Sequence, residues 1–313
     1  MTRTIQLLMT FEDAMLQKAL EAVEGYSIKI APDHPSAMAA IPEAEVACVA
    51  SFDRELLDRA ANLSWIQAFL GGVERVLFPE LVSRPVPLTC VKECFAAPGA
   101  EHAMAVILAV SYRVDYYLRA QARRDFEWHR PDGLAGLTLG IIGFGNIGQA
   151  LAVRARAFGL RTLALARQPR TVPSPADELV TPAQMSRLLN ESDFVVVAVP
   201  STSDTRNLIG AARLEQMKPT AWLIDISGRE AIVNQPAVIE ALQKGRIAGA
   251  DLQFKEPPAM DSALWDMDNL IMSQYSANSE QETSDAVALV VDNACRYRDG
   301  KPLRGLVDKV AGY

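Results

Sequence analysis

The sequence predicts an α/β protein of two domains, each built around a parallel sheet. Three observations predict it. The length of 313 residues suits two ordinary domains better than one. Strand-like and helix-like segments alternate through the first hundred residues and again from Leu137 onward, the pattern of parallel strands covered on both faces. Between the two series runs a breaker-poor helical stretch long enough to carry the chain from one domain into the next.

In the first series, Ile5–Met9 is an apolar strand, Phe11–Val23 has helical periodicity and Tyr26–Ala31 alternates as a strand. Val46–Ala50 reads as a short buried strand, Arg54–Ala60 as a helix, and Trp65–Phe69 and Leu88–Val91 as strands. The bridging helix is expected from Ala100 to about Arg124, with Pro131-Asp132-Gly133 as its stop. In the second series, Leu137–Ile142 and Thr162–Ala166 are strands flanking a helix at Asn146–Phe158. Pro169–Pro175 reads as a surface loop. Further strands are expected at Phe194–Val199, Ala221–Ile226, Ile247–Leu252 and Leu270–Ser273. Helices are expected at Pro182–Leu189 behind an N-cap at Thr181, and at Pro236–Lys244, where proline opens and Gly245 closes the helix. A last helix spans Ser284–Arg298.

Composition removes several classes of function. Half the residues are apolar and 22% charged, a globular balance, and a net charge of −7 argues against a nucleic-acid surface. No apolar run reaches membrane-spanning length, and Met1-Thr2-Arg3-Thr4 leads directly into a strand rather than a signal sequence. Cys48, Cys90, Cys94 and Cys295 lack zinc or redox spacing, so they are expected as reduced thiols in the cytoplasm. No His, Cys and carboxylate cluster has metal-ligand spacing and no GxSxG elbow occurs, which leaves metal hydrolases and nucleophilic hydrolases unsupported.

Gly143-Phe144-Gly145-Asn146-Ile147-Gly148 is a GxGxxG sequence that follows an apolar strand and opens a helix, the context in which such a loop binds a dinucleotide. The first glycine allows the tight turn, the second lets a pyrophosphate approach the backbone, and the third lets helix and strand pack closely. The helix start then presents N–H groups to an anion. At the end of the next strand, where NAD-binding versions place an acid against the ribose 2′-hydroxyl, the chain reads Ala166-Arg167-Gln168-Pro169-Arg170. Arg167, with Arg170 nearby, offers a cationic fork for a 2′-phosphate, so NADP(H) is expected over NAD(H), which stays open. The alternative reading, solvated loop charges, is stronger for Arg170 than for Arg167.

From this point the sequence resembles the D-isomer-specific 2-hydroxyacid dehydrogenases, above all their glyoxylate/hydroxypyruvate reductase branch. The resemblance rests on Trp65–Val73, Ala100-Glu101-His102, the Val199–Ile209 stretch and the tail Asn293–Tyr313, in the family's order and spacing. It implies two Rossmann-like domains with parallel sheets, the cofactor domain inserted into the substrate domain. A flavodoxin-like substrate domain would take residues 1–99 and 285–313, and the dinucleotide-binding domain 100–284. Leu70, Gly71 and Gly72 would hold the substrate carboxylate through backbone amides. Val199 and Pro200 would lie beside the cofactor ribose, and Ile226, Ser227 and Gly228 would complete the cofactor contacts. A homodimer is implied by the family alone, and hydride transfer would occur in the cleft between domains.

The same resemblance assigns catalytic positions. Arg229 matches the arginine that clamps the carboxylate and carbonyl of a 2-keto acid, although Asp225 stands one residue further away than the family's asparagine and Glu230 replaces a glycine. Asp251 matches the acid that contacts the nicotinamide carboxamide. Glu256 matches the glutamate that normally hydrogen-bonds the catalytic histidine. That histidine is missing: where the family reads Ser/Thr-Pro-His, this chain reads Ser273-Gln274-Tyr275. The histidines of the sequence, His34, His102 and His129, sit in no segment that matches the family's catalytic Ser/Thr-Pro-His; His102 is expected as a structural residue of the long helix and the others as loop residues.

Three readings follow. Tyr275, a phenol protonated at neutral pH, donates the proton, with Glu256 keeping it protonated. Alternatively Tyr275 packs against nicotinamide and a water bound to Arg229 supplies the proton. In the third reading catalysis is lost and the protein is an NADP(H)-binding regulator or interaction protein. The enzyme readings lead, because the arginine, the glutamate, Asp251 and the glycine loop all remain. The expected activity is reduction of a small 2-keto acid to the D-2-hydroxy acid.

Overall fold

The computed structural model describes residues 5–167, 174–228, 231–254, 256–274 and 280–313. The chain divides into two compact units, Met1–Phe95 with Ser279–Tyr313, and Ala96–Asn278. Both junctions precede the 99/100 and 284/285 positions expected from the sequence, because the helices near them begin earlier, at Ala96 and at Glu280.

The first unit carries the parallel strands β1 (Ile5–Met9), β2 (Tyr26–Ile30), β3 (Val46–Val49), β4 (Trp65–Ala68) and β5 (Leu88–Cys90) in the order β2-β1-β3-β4-β5. β3 and β4 are buried at every position, as strands covered on both faces must be. Short acidic caps start the covering helices: Asp13 accepts from the Leu16 N–H, Asp33 from Ser36 and Asp53 from Leu56. The core gathers Leu8, Ile41, Val49, Ile66, Leu81 and Leu88. The last helix, Glu280–Arg298, is pinned by Asn293. This wholly buried side chain donates to Gln67 Oε1 and to the Arg304 carbonyl and accepts from the Arg304 N–H.

The second unit has a seven-stranded sheet in the order β12-β11-β10-β9-β6-β7-β8. Its strands are β6 (Thr138–Ile142), β7 (Arg161–Leu165), β8 (Glu178–Val180), β9 (Phe194–Val197), β10 (Trp222–Asp225), β11 (Gly249–Gln253) and β12 (Leu270–Ser273), all parallel to their neighbours. Alternate residues feed two separate cores. Leu163, Val195, Val197 and Leu223 enter one, while Ala164, Phe194, Val196 and Ile224 enter the other, so helices cover both faces. From β6 the chain turns to β7 on one side and β9 lies on the other, the strand reversal that marks a Rossmann sheet. Two Rossmann-like units with parallel sheets are therefore present, as the sequence predicts.

Several local expectations differ. The long bridging helix is two helices, Ala96–Ser111 and Val114–Arg123. Arg113 adopts a left-handed conformation between them (φ 59°), a break made without proline or glycine and so without a mark in the sequence. His34 opens the helix His34–Ala40 rather than sitting in a loop, and its Nε2 lies 2.9 Å from Asp53 Oδ2. The short edge strand β8 has no counterpart among the strands expected from the sequence. It is held near β7 by Asp177, whose carboxylate accepts from both the N–H and the hydroxyl of Thr162. The Pro169–Pro175 loop lies mostly outside the described residues.

Candidate active site

The glycine loop fills the turn from β6 into the helix Asn146–Ala157, and each glycine answers a different demand. Gly143 has φ 105°, and a Cβ there would meet the Ala198 carbonyl oxygen at 2.4 Å. A Cβ on Gly148 would meet the Gly143 carbonyl oxygen at 2.2 Å, so this glycine lets the helix start press onto the turn. A Cβ on Gly145 would meet nothing within 4 Å among the described residues. The loop is thus closed at its first and third glycines and open at its second, where the helix N–H groups have no intrahelical partner. That is the shape a dinucleotide pyrophosphate requires, and the residues fit it. Phe144 is buried beneath the loop, Asn146 is exposed, and Ile147 packs against Gly99 of the preceding helix.

The neighbouring strand ends frame this loop. Ile142 is in register with Leu165, so the exposed Arg167 follows β7 on the strand beside the glycine turn. Val199 follows β9 and would touch a Cβ placed on Gly143 at 2.8 Å. Pro200 follows it, its carbonyl accepting from the Thr205 hydroxyl. After β10, Ile226 is buried and Ser227 turns back on Asp225: its N–H and its hydroxyl both donate to Asp225 Oδ1, at 2.9 and 2.5 Å. Gly228 follows with φ 63°. Asp225 is 2% exposed, and burial, reinforced by nearby Asp251, pushes its carboxyl up to about 6 against the opposing Ser227 bonds.

Asp251, on β11, has no exposure at all. Its Oδ2 is 2.9 Å from His102 Nε2, and its Oδ1 accepts from the Ser273 hydroxyl at 2.9 Å. A buried carboxylate needs such partners, and here one comes from the helix Ala96–Ser111 and one from β12. Glu256 lies exposed beyond the end of β11.

In the first unit, Leu70, Gly71 and Gly72 follow β4 and are half-buried. The Leu70 carbonyl accepts from the Val91 N–H, and the Phe95 ring backs Gly71 so closely that a Cβ would come within 2.7 Å of it. Glycine is therefore required at position 71 by the ring that packs on it.

Comparison with known proteins decides what this arrangement belongs to. Residues 104–277 match the model of the D-isomer specific 2-hydroxyacid dehydrogenase NAD binding domain. The chain is 35% identical to a glyoxylate reductase of Thermococcus litoralis over 269 residues, 82% of this chain and 80% of that one. It is 30% identical to a glycerate dehydrogenase of Methylorubrum extorquens over 307 residues, 94% of this chain and 88% of that one. Among solved structures, a D-isomer specific 2-hydroxyacid dehydrogenase from Xanthobacter autotrophicus, in complex with NADPH and MES, superposes with a TM-score of 0.84 at 26% identity, covering 99% of this chain and all of that one.

The chain belongs to the D-isomer specific 2-hydroxyacid dehydrogenase family.

It is an oxidoreductase of the 2-hydroxyacid dehydrogenase kind, and its second unit contains the family's nucleotide-binding domain. Within the dehydrogenase, the loop residues Gly143 to Gly148 and the strand ends at Arg167, Val199, Pro200, Ile226, Ser227, Gly228 and Asp251 belong to that unit. Leu70, Gly71 and Gly72 belong to the other. Arg170, Arg229 and Tyr275 lie outside the described residues. Two features escaped sequence reasoning. His102, read as merely part of a helix, is a partner of Asp251, and Asp225 is a buried acid. An acid at the carboxyl end of a strand that is otherwise wholly apolar, Trp222-Leu223-Ile224-Asp225, was the available signal for the second.

Proposed function

We propose that this dehydrogenase is an NADP(H)-dependent reductase of a small 2-keto acid, of the glyoxylate or hydroxypyruvate type, that yields the D-2-hydroxy acid. The observation that carries the cofactor assignment is Arg167, an arginine beside the glycine turn at the strand end where an acid would select NAD(H). The Xanthobacter neighbour, named as a complex with NADPH, supports the same reading, and the glyoxylate reductases among the relatives support the substrate class. NAD(H) is the alternative cofactor.

The bound cofactor would supply a hydride to the keto carbon. The chain's own residues do the rest. The second unit holds the dinucleotide through the glycine loop, Arg167 and Arg170 on the 2′-phosphate, and Asp251 on the carboxamide. Leu70, Gly71 and Gly72 of the first unit bind the carboxylate through backbone N–H groups. Arg229 clamps carboxylate and carbonyl oxygen together, which orients the substrate and stabilises charge developing on that oxygen. Tyr275 stands in the family's histidine position and gives its phenolic proton to the same oxygen, while the Glu256 carboxylate disfavours the phenolate. A homodimer acting in the cytoplasm completes the reading. The substitution of tyrosine for histidine also favours a second reading, a catalytically impaired NADP(H)-binding regulator on the same fold. Following NADPH absorbance with glyoxylate or hydroxypyruvate separates the two: turnover supports the reductase, and cofactor binding without turnover supports the regulator.

A further inference from the structure

The first unit carries an aromatic pair that the reading above does not use. In its sheet the chain passes from β1 to β2 on one side, while β3 lies on the other, so the strand order reverses between β1 and β3. In open parallel sheets, ligands bind outside the carboxyl ends of the strands at such a reversal. Phe11 comes just after β1 and Phe69 just after β4, one strand to either side of β3. Both segments are tied to the end of β3: the Thr10 N–H donates to the Cys48 carbonyl at 3.0 Å and the Phe69 N–H to the Val49 carbonyl at 2.9 Å. The rings consequently meet across the carboxyl end of β3, stacked 5.5 Å apart at an interplanar angle of 20°.

Neither ring belongs to the core; both are half-buried beside the carboxyl end of β3. The Thr10 hydroxyl beside them is enclosed and has no hydrogen-bond partner among the described residues, a state that costs free energy unless a ligand or water meets it. Phe69 also leads directly into Leu70, Gly71 and Gly72, so an anion held by that backbone would have the aromatic pair as its neighbour.

We propose that Phe11 and Phe69 form the wall against which the C3 substituent of the substrate packs, and that the enzyme favours 2-keto acids bearing a flat apolar group over glyoxylate. The proposal rests on the 2-keto acid reductase reading and moves its preferred substrate from the glyoxylate type to 2-keto acids with an aromatic substituent. Glyoxylate has only hydrogen where such a substituent would be, so the wall contributes nothing to its turnover. A phenyl group gains both apolar burial and offset stacking.

The test compares phenylpyruvate with glyoxylate and hydroxypyruvate, each with NADPH, on the full-length wild-type protein. The proposal expects kcat/KM for phenylpyruvate about tenfold or more above that for glyoxylate, the discrimination an apolar pocket achieves for a well-fitted group. Phe11→Ala should lower the phenylpyruvate value about tenfold more than the glyoxylate value, with Phe11→Leu falling between. Reduction of glyoxylate or hydroxypyruvate with no advantage for phenylpyruvate in the wild type would overturn the proposal and leave the reductase reading standing. Failure to reduce any of the three would overturn both.

Discussion

His102 Nε2 lies 2.9 Å from Oδ2 of Asp251, a carboxylate without solvent exposure whose other oxygen is held by Ser273. Strand β11 and its neighbour β12 supply the acid and the hydroxyl in fixed register, Gln253 opposite Ser273, and the helix from Ala96 supplies the imidazole. The arrangement fixes one orientation of Asp251. If that acid receives the cofactor's carboxamide, His102 positions it without touching the cofactor.

Replacing His102 with leucine should therefore leave a buried acceptor without its partner. The expected cost is about 1–3 kcal/mol of stability. Cofactor binding should weaken as well, with Km for NADPH rising more than kcat falls. Chemical denaturation and NADPH titration check both. An unchanged NADPH affinity with reduced stability would make the pair structural only.

Asp225 gives a pH-dependent stability whose sign is fixed by burial. Its carboxyl is raised from 3.8 to about 6 in the folded protein, so the native state binds the proton more tightly than the unfolded chain does. Stability from this group is present at low pH and is lost as pH rises between those two values. Asp225→Asn, which keeps an acceptor for Ser227, removes the loss. The variant should exceed the wild type by up to about 3 kcal/mol at pH 7.5, with the difference vanishing near pH 4. Urea melts at the two pH values check it.

The glycine loop predicts two unlike alanine variants. Gly145→Ala adds a methyl to open space, so the melting temperature should hold while NADPH affinity drops steeply. Gly148→Ala would force a Cβ against the Gly143 carbonyl, so it should lose stability and cofactor binding together. Thermal melts with and without NADPH distinguish them.

Arg167→Ala should change cofactor choice rather than cofactor chemistry. Loss of a charge-assisted contact to a 2′-phosphate predicts a roughly 10- to 100-fold rise in KM for NADPH and little change for NADH. Equal effects on both cofactors would assign Arg167 to the scaffold.

The legible parts of this protein are those where a local demand leaves a local mark. Gly143 and Gly148 are glycines because a Cβ would strike backbone, and the alternation of strand and helix announces both sheets. The bend at Arg113 was illegible because an arginine, not a glycine, takes the left-handed conformation. The pairing of His102 with Asp251 was illegible for another reason: it joins residues 149 apart in sequence, and nothing near either one marks the other. The Phe11–Phe69 stack was hidden in the same way, since the strand that brings the two rings together lies between them in the sheet.

The most direct test of the central claim is NADPH consumption with 2-keto acids by the wild type, Tyr275→Phe and Arg229→Ala. The account predicts turnover by the wild type, a loss of about 100-fold or more in kcat for Tyr275→Phe, and a fall in kcat/KM for Arg229→Ala. Turnover that survives Tyr275→Phe would contradict the phenol as proton donor. NADPH binding with no reduction of any 2-keto acid by the wild type would contradict the reductase itself.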